Sequence, residues 1–469
     1  MLSRRSLLVS AAAAATVRPA TGSAQTAQAS AARESATAVT TLRLQRRTVE
    51  VNGKAASVFA IRQPDGTSGL TTEAGKPFRV HLENNIDQPS LIHWHGLTPP
   101  WQQDGVPGIS APQIPPGGSA DYDFPLRFGG TFWMHSHQGL QEQSLMLAPL
   151  IIHDGRDRPG EQEIVLMLND FSFTPPDEIF AGLKKKSGSM PNMAGRTPQT
   201  PDLNDVRYDA FLANDRTLAD PEVITVEPDG RVLLRVINGS SMSNYHLDLG
   251  QLKGELIAVD GFRSEPLTAS RFPIAVAQRL DIRLTLPRQI AAWPVLAVLE
   301  GDRRQTGIVL AAGQPTIARI ADTTGAPSPA LTLDLERRLR AAAPLKPRKA
   351  DRVHTLNLTG DMARYVWSLN NVAWNKDVPP LPIAKGERVE LVMVNQTRMP
   401  HPMHLHGHEF QVVEIDGNRF AGAVRDTVLV TPGQRVVIAF DANNPGLWSF
   451  HCHLLYHLDA GMFTTLRYV

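Results

Sequence analysis

The sequence predicts an all-β chain of three similar domains, and three observations carry that expectation. From Thr41 onward, short β-type runs follow one another, broken by Gly, Pro and Asn, with few helical periods. A strand that opens on glycine and closes on asparagine occurs three times, from Gly75 to Asn84, Gly230 to Asn238 and Gly386 to Asn395. Three copies at wide spacing argue for three domains rather than a solenoid. A tighter echo relates the first and last copies. Pro116-Gly117 precedes His135 by nineteen residues, and Pro432-Gly433 precedes His451 by the same interval. Within it Phe124 matches Phe440, Gly130 matches Gly446 and His137 matches His453, while Ser136 stands at the Cys452 position.

The elements follow in order. Residues 1–29 form a leader in which Ser3-Arg4-Arg5-Ser6-Leu7-Leu8 precedes an alanine-rich apolar stretch, resembling a twin-arginine export signal with cleavage after Ala24 or Ala29. Export by that machinery implies a folded, periplasmic protein with no membrane anchor after processing. Cleavage after Ala24 removes Arg4, Arg5 and Arg18 and no acid, taking the net charge from +1 to −2. The first domain is expected over 41–154 and the second over 159–312. The second, around Ala277-Gln-Arg-Leu-Asp281, has no histidine pair and reads as a spacer. A Pro- and Ala-rich linker, 313–352, leads to the third domain, 353–469. The region from Lys184-Lys185-Lys186 to Met190-Pro-Asn-Met193 reads as a mobile loop. Residues 333–343, holding Glu336-Arg337-Arg338, read as a short surface helix with a solvated charged face. Lys and Arg number 47 against 46 Asp and Glu, a balance that gives no field for nucleic acid. The single cysteine excludes an intrachain disulfide.

That cysteine lies in His451-Cys452-His453. On an extended strand the two histidines point one way and the thiol the other, so one segment can serve two metal sites. Cys452, His457 and Met462 supply three parts of a His2Cys site with a weak axial Met, the ligand set of a blue copper centre. Fifteen histidines give five His-x-His pairs, at 93/95, 135/137, 404/406, 406/408 and 451/453. Chance supplies roughly half a pair in a chain of this length. Four of the pairs offer eight imidazoles, enough for three metal ions with room left for oxygen.

His93-Trp-His95-Gly, His135-Ser-His137, His401-Pro-Met-His404-Leu-His406-Gly-His408 and His451-Cys-His453…His457…Met462 resemble, in family order, the four copper motifs of the multicopper oxidases. The resemblance covers nearly the whole mature chain. It implies three cupredoxin-like Greek-key β-sandwich domains and four copper ions, one blue and mononuclear, three in a trinuclear cluster. It makes His401, Cys452, His457 and axial Met462 the blue-copper ligands. His93 and His404 would hold the lone cluster copper, with His95, His135 and His453 on one copper of the coupled pair and His137, His406 and His451 on the other. The cluster is therefore expected between the first and last domains. Asp104 matches an acid that assists proton delivery in the family; a simple turn role in Asp104-Gly105 is the alternative. His408 is expected to be a supporting hydrogen-bonding group, and His81, His153, His246 and His354 to be structural.

The activity implied is one-electron oxidation of a small donor at the blue copper, coupled through Cys452 to four-electron reduction of O2 to water. A laccase-like oxidase of phenols and aromatic amines is the first reading, and a periplasmic cuprous oxidase for copper tolerance the second. Met399 and Asp459 match positions lining a Cu(I) rim in such oxidases, although Thr397 stands where another acid is expected and Met190 and Met193 are a meagre remnant of a Met-rich insert. A copper-free structural protein on the same fold is the alternative of another class; it would lack the ligands this chain keeps.

Overall fold

In a computed structural model that describes residues 39–155, 158–186 and 202–469, strands dominate and pair into six sheets. Two four-stranded sheets use residues 40–153, a six- and a five-stranded sheet use 161–312, and a seven- and a five-stranded sheet use 352–468. The expected all-β architecture is present. Among the described residues no helix is long and apolar enough to cross a membrane. The export leader lies outside the described residues.

The glycine-to-asparagine echo is a strand in each sheet pair. Pro77–Asn84, Arg231–Asn238 and Arg388–Asn395 each run parallel to the first strand of their sheet and antiparallel to a later one. The asparagine matters because the strand ends in buried surroundings, where carbonyls need donors. Asn84 Nδ2 donates to Gln88 O and Ile114 O at 2.9 and 2.8 Å. Asn395 Nδ2 donates to Met399 O and Val430 O at 2.7 and 2.8 Å. Asn238 does the same with Ser243 O and Ile274 O at 2.9 and 3.4 Å. The turn facing each asparagine needs a left-handed residue. Gly117 and Gly433 supply it at φ 72° and 73°, but the middle copy uses Ala277 at φ 69°. An L-residue there costs about 1 kcal/mol, and its amide bond to Asn238 O at 2.9 Å helps hold it.

The first sheet pair has its own core, centred on Phe78, which packs edge-on to Trp94 at 4.8 Å and stacks with Phe124 at 4.7 Å. The other two pairs share one continuous core. Residues 313–352 do not hang free between them. Leu331, Leu333, Leu339 and Ala341 are buried, and backbone bonds tie Ala341 to Gly422 and Ala342 to Arg263. The stretch is a strap laid across both pairs. Its helix is shorter than expected, Asp334–Arg338, and its charges are not all solvated. Glu336 is 7% exposed and pairs with buried Arg425, because burial of the strap carries that side chain inward.

The expected loop at Lys184–Lys186 is instead the end of a helix, Pro176–Lys186. Pro opens it, Asp177 and Glu178 occupy its first turn and the lysines its last, the order the helix dipole favours. Met190 and Met193 lie outside the described residues.

A buried charge network crosses the sheet pairs. Arg279, fully buried, donates to Asp426 Oδ1 at 2.8 Å, Thr131 O at 3.1 Å and Asp260 O at 2.9 Å. Arg425 donates to Asp260 Oδ2 at 2.9 Å. Such pairs gain little over apolar packing, but removing one partner leaves a stranded charge, at a cost of about 3–5 kcal/mol.

Candidate metal centres

Four strands and the residues just past their ends carry the histidines, with His457 on the short helix Leu455–Asp459 that follows. In Ile92–His95 and Gly130–Ser136, His93 lies opposite His135; in His401–Leu405 and Leu447–Cys452, His404 lies opposite His451 and Met403 opposite Cys452. Side-chain alternation then sends His93 and His95 to one face while Trp94 enters the core. The histidine faces of the first and last sheet pairs meet. His93, His95 and His404 converge, as do His95, His135 and His453, and His137, His406 and His451, with ligand atoms in each group within 4.8 Å. Separately, His401, Cys452 and His457 converge. Every residue of these groups is fully buried except His137, which is partly exposed.

Ring nitrogens of different histidines face one another at hydrogen-bond distance or slightly beyond, and where the far nitrogen of each ring is the donor both facing atoms carry lone pairs. His93 Nε2 lies 3.4 Å from His404 Nε2, and His406 Nε2 lies 2.9 Å from His451 Nε2. In the mononuclear group His457 Nδ1 is 3.2 Å from His401 Nδ1, and Cys452 Sγ is 3.6 and 3.9 Å from those two nitrogens. His95 Nδ1, His135 Nε2 and His453 Nε2 are buried without any hydrogen-bond partner among the described residues. Lone pairs that converge unpaired in a dry site are what a cation would satisfy.

The other ring nitrogens are held, and that sets which atom faces inward. Nδ1 of His93 and of His404 donates to the carbonyls of Asp104 and Asp426, each at 2.9 Å. His406 Nδ1 donates to Asp104 Oδ2 at 2.9 Å, and His451 Nδ1 to Cys452 O at 2.9 Å. His95 is reversed, giving Nε2 to Asp426 Oδ1 at 3.0 Å. His401 gives Nε2 to the Thr397 hydroxyl at 2.7 Å, so the residue standing in for an expected acid orients the His401 ring. His457 gives Nε2 to Asp205 Oδ2 at 3.2 Å. Gly105 lets Asp104 approach, because a Cβ there would lie 1.8 Å from Ile92 O.

Burial, reinforced by neighbouring imidazoles, holds His95, His135, His137, His401, His404, His406 and His453 well below the usual histidine range, and pushes His451 down to about 3. Burial also lowers His457, against the pull of Asp205. Neutral imidazole is the ligating form. Burial pushes the Cys452 thiol up, so a thiolate there needs a cation beside it. The donor set thus fits copper: imidazoles with a thiolate on one side, imidazoles alone on the other.

Met462 is fully buried, and backbone bonds of 3.0 Å tie its N to His457 O and its O to Cys452 N. His408 joins no group. Its Nδ1 faces His406 O at 3.1 Å and its Nε2 the Tyr468 hydroxyl at 2.7 Å. His81 pairs with Asp121, His153 with Glu163, and His246 and His354 with the carbonyls of Pro329 and Pro382. Met399 and Asp459 do not form one open rim. Met399 is 2% exposed within the shared core, because its carbonyl is drawn in by Asn395, whereas Asp459 is exposed at a helix end.

Family models described as multicopper oxidase match residues 43–157, 162–313 and 347–469. The multicopper oxidase MmcO of Mycobacterium tuberculosis is 28% identical over 85% of this chain and 81% of its own length. A copper resistance protein A homolog of Pseudomonas syringae pv. tomato is 27% identical over 89% and 90%. The crystal structure of Fet3p, described as a multicopper oxidase that functions in iron import, superposes with a TM-score of 0.75 at 22% identity, covering 91% of this chain and 90% of that one. The chain belongs to the multicopper oxidases, oxidoreductases that use O2 and a reducing substrate and carry four copper ions.

Sequence reasoning missed four residues that touch these groups or brace them: Glu142, Asp205, Arg279 and Asp426. Arg279 was within view, in the middle echo, but its partner Asp426 lies 147 residues away. The region read as a spacer braces both sites, with Arg279 behind Asp426 and His95, and Asp205 behind His457.

Proposed function

We propose that this oxidase takes electrons from a small cation, Cu(I) foremost, at the site of His401, Cys452, His457 and Met462. One observation carries the choice of donor. The His457 ring is fully buried, Trp367 stacks on it at 4.0 Å, and Asp205 closes its Nε2 edge. Asp205 Oδ2 also accepts from the Tyr365 hydroxyl at 2.8 Å, while Oδ1 is buried with no partner among the described residues. A phenol ring has no face of His457 to lie against. A cation has an unpaired buried carboxylate oxygen one hydrogen bond from the ring. The copper resistance protein among the relatives supports the same reading.

In this reading His93 and His404 hold one cluster copper, His95, His135 and His453 the second, and His137, His406 and His451 the third. Bound copper supplies one-electron redox chemistry and binding of O2. The chain supplies the rest. Cys452 is covalently continuous with His451 and His453, which joins the two sites by a backbone path. Asp104, 1% exposed and bonded to His406, is the acid placed to pass protons at the cluster. His137 reaches a cleft of about 610 Å³ through which small molecules gain the cluster edge. The working units are 41–154, 159–312 and 353–469, joined by 313–352, and the leader 1–29 directs the folded protein through twin-arginine export to the periplasm.

The same cleft favours a second reading. Trp374, Leu455, Leu458 and Phe463 line it with Asp459, offering an aromatic donor a seat beside the helix that carries His457. Oxygen uptake with Cu(I) and with a simple methoxyphenol separates the two. Asp205→Asn is expected to raise KM for Cu(I) at least about tenfold more than it raises KM for the phenol, a difference of about 1.4 kcal/mol. Fast phenol oxidation with slow Cu(I) oxidation, indifferent to Asp205, would overturn the cation reading.

A further inference from the structure

A 3-10 turn, Gln141–Ser144, buries three consecutive polar side chains: Gln141, Glu142 and Gln143 are 7%, 3% and 5% exposed. Each buried polar group costs free energy unless it finds a partner. Gln141 Oε1 accepts from the Ser90 and Ser136 hydroxyls, each at 2.8 Å, and its Nε2 donates to Pro89 O at 3.0 Å. Gln143 Oε1 accepts from the Tyr208 hydroxyl at 2.6 Å, and its Nε2 donates to Asp170 Oδ1 at 3.3 Å. The chain leaves the turn through Leu145 in the left-handed region at φ 63°. Gln141 is thus fixed to the first sheet pair and Gln143 to the middle one, with Glu142 held between.

We infer that Glu142 is a positioning residue for the metal site of His95, His135 and His453, a two-oxygen clamp on the Nδ1–H groups of His135 and His453 that turns both Nε2 lone pairs inward. Its Oε2 lies 2.7 Å from His135 Nδ1, which also approaches Ser136 O at 3.1 Å. Its Oε1 lies 4.0 Å from His453 Nδ1. Among the described residues that oxygen and that nitrogen are both buried with no hydrogen-bond partner, as are His135 Nε2 and His453 Nε2. At 4.0 Å the second contact is longer than a hydrogen bond, so the clamp closes on His453 only when that ring turns toward Oε1. His135 belongs to the first sheet pair and His453 to the last, so the clamp spans the seam on which the cluster depends. The inference rests on the reading of these three histidines as copper ligands.

A carboxylate is required because both partners are donors. An amide offers one acceptor oxygen, and its NH2 would face the second N–H. Copper-loaded wild type, Glu142→Gln and Glu142→Asp are dialysed against a chelator, then assayed for copper content, near-ultraviolet absorption, EPR spectrum and blue absorption. Glu142→Gln is expected to weaken one copper by about 10–100-fold, with the near-ultraviolet and EPR signatures changed and the blue band intact. Glu142→Asp keeps two acceptor oxygens and is expected to retain more copper than Gln. Full copper and unchanged spectra in Glu142→Gln would overturn the clamp, as would equal losses in the two variants. Melting of the copper-free proteins guards against a merely structural role: a fall there as large as in the loaded proteins would also overturn it. A wild type that binds no copper at these histidines removes the site reading and the clamp together, a result distinct from a variant effect.

Discussion

In the proposed reading the mononuclear site and the cluster share one strand but differ in what must fold to make them. His401, Cys452, His457 and Met462 all belong to the last sheet pair, with Thr397 orienting His401 from the same pair and Asp205 reaching in from outside it. The cluster draws His93, His95, His135 and His137 from one pair and His404, His406, His451 and His453 from another, with Arg279 of a third pair bracing Asp426. The first is a local site and the second a product of assembly. Loss of registry between sheet pairs should therefore cost the cluster first and leave the mononuclear site standing.

Cys452→Ser breaks the comparison from the other side. It should abolish the blue absorption and lower oxygen uptake with either donor by at least about a thousandfold, since the covalent path remains but its thiolate is gone, while about three coppers stay bound. Full oxidase activity in that variant would sink the mechanism. Arg279→Met comes next. It strands Asp426 and should destabilise the protein by about 3–5 kcal/mol, measured by chemical denaturation, with cluster copper lost before the blue band. Equal loss of both sites would mean that the mononuclear site is not local.

The smallest effect is a count of protons. The buried thiol sits above its usual range, so at pH 7 it is protonated in copper-free folded protein, and binding Cu(I) there should release about one proton. The cluster imidazoles whose shifts are resolved lie below their usual range, so they are already neutral at that pH and should release none on binding Cu(I). Titration in weak buffer with a pH electrode reads both. Several protons released during cluster filling would show that the imidazoles there are charged.

The convergent histidines were legible because a metal-binding role restricts the residue type and a strand restricts the spacing, so histidines at i and i+2 stand out against a low background. The threefold repeat was legible for a similar reason: an asparagine is needed where each strand ends among buried carbonyls. The bracing acids were not. Glu142, Asp205 and Asp426 are three carboxylates among 46, and nothing local sets them apart. Their roles depend on partners from other sheet pairs, as with Asp426 and His95, 331 residues apart. Glu336 misled for the same reason, since a Glu-Arg-Arg run looks solvated until the strap is laid down. The lysine run that read as part of a loop is instead the end of the helix Pro176–Lys186, where positive charge suits the helix dipole.

The Cys452 thiol and the two histidines beside it are neighbours in one polypeptide, on and just beyond the strand Leu447–Cys452. The spacing between the two sites is therefore a matter of bond lengths and pleat, not of how tightly the sheet pairs close. Thermal breathing across the seam can loosen His93 from His404, but it cannot lengthen the route from the sulfur to the ring of His451. In the language of tunnelling, the covalent part of the donor–acceptor route is built into the backbone, and domain motion acts only on its far end, where His451 and His453 meet histidines of the first sheet pair.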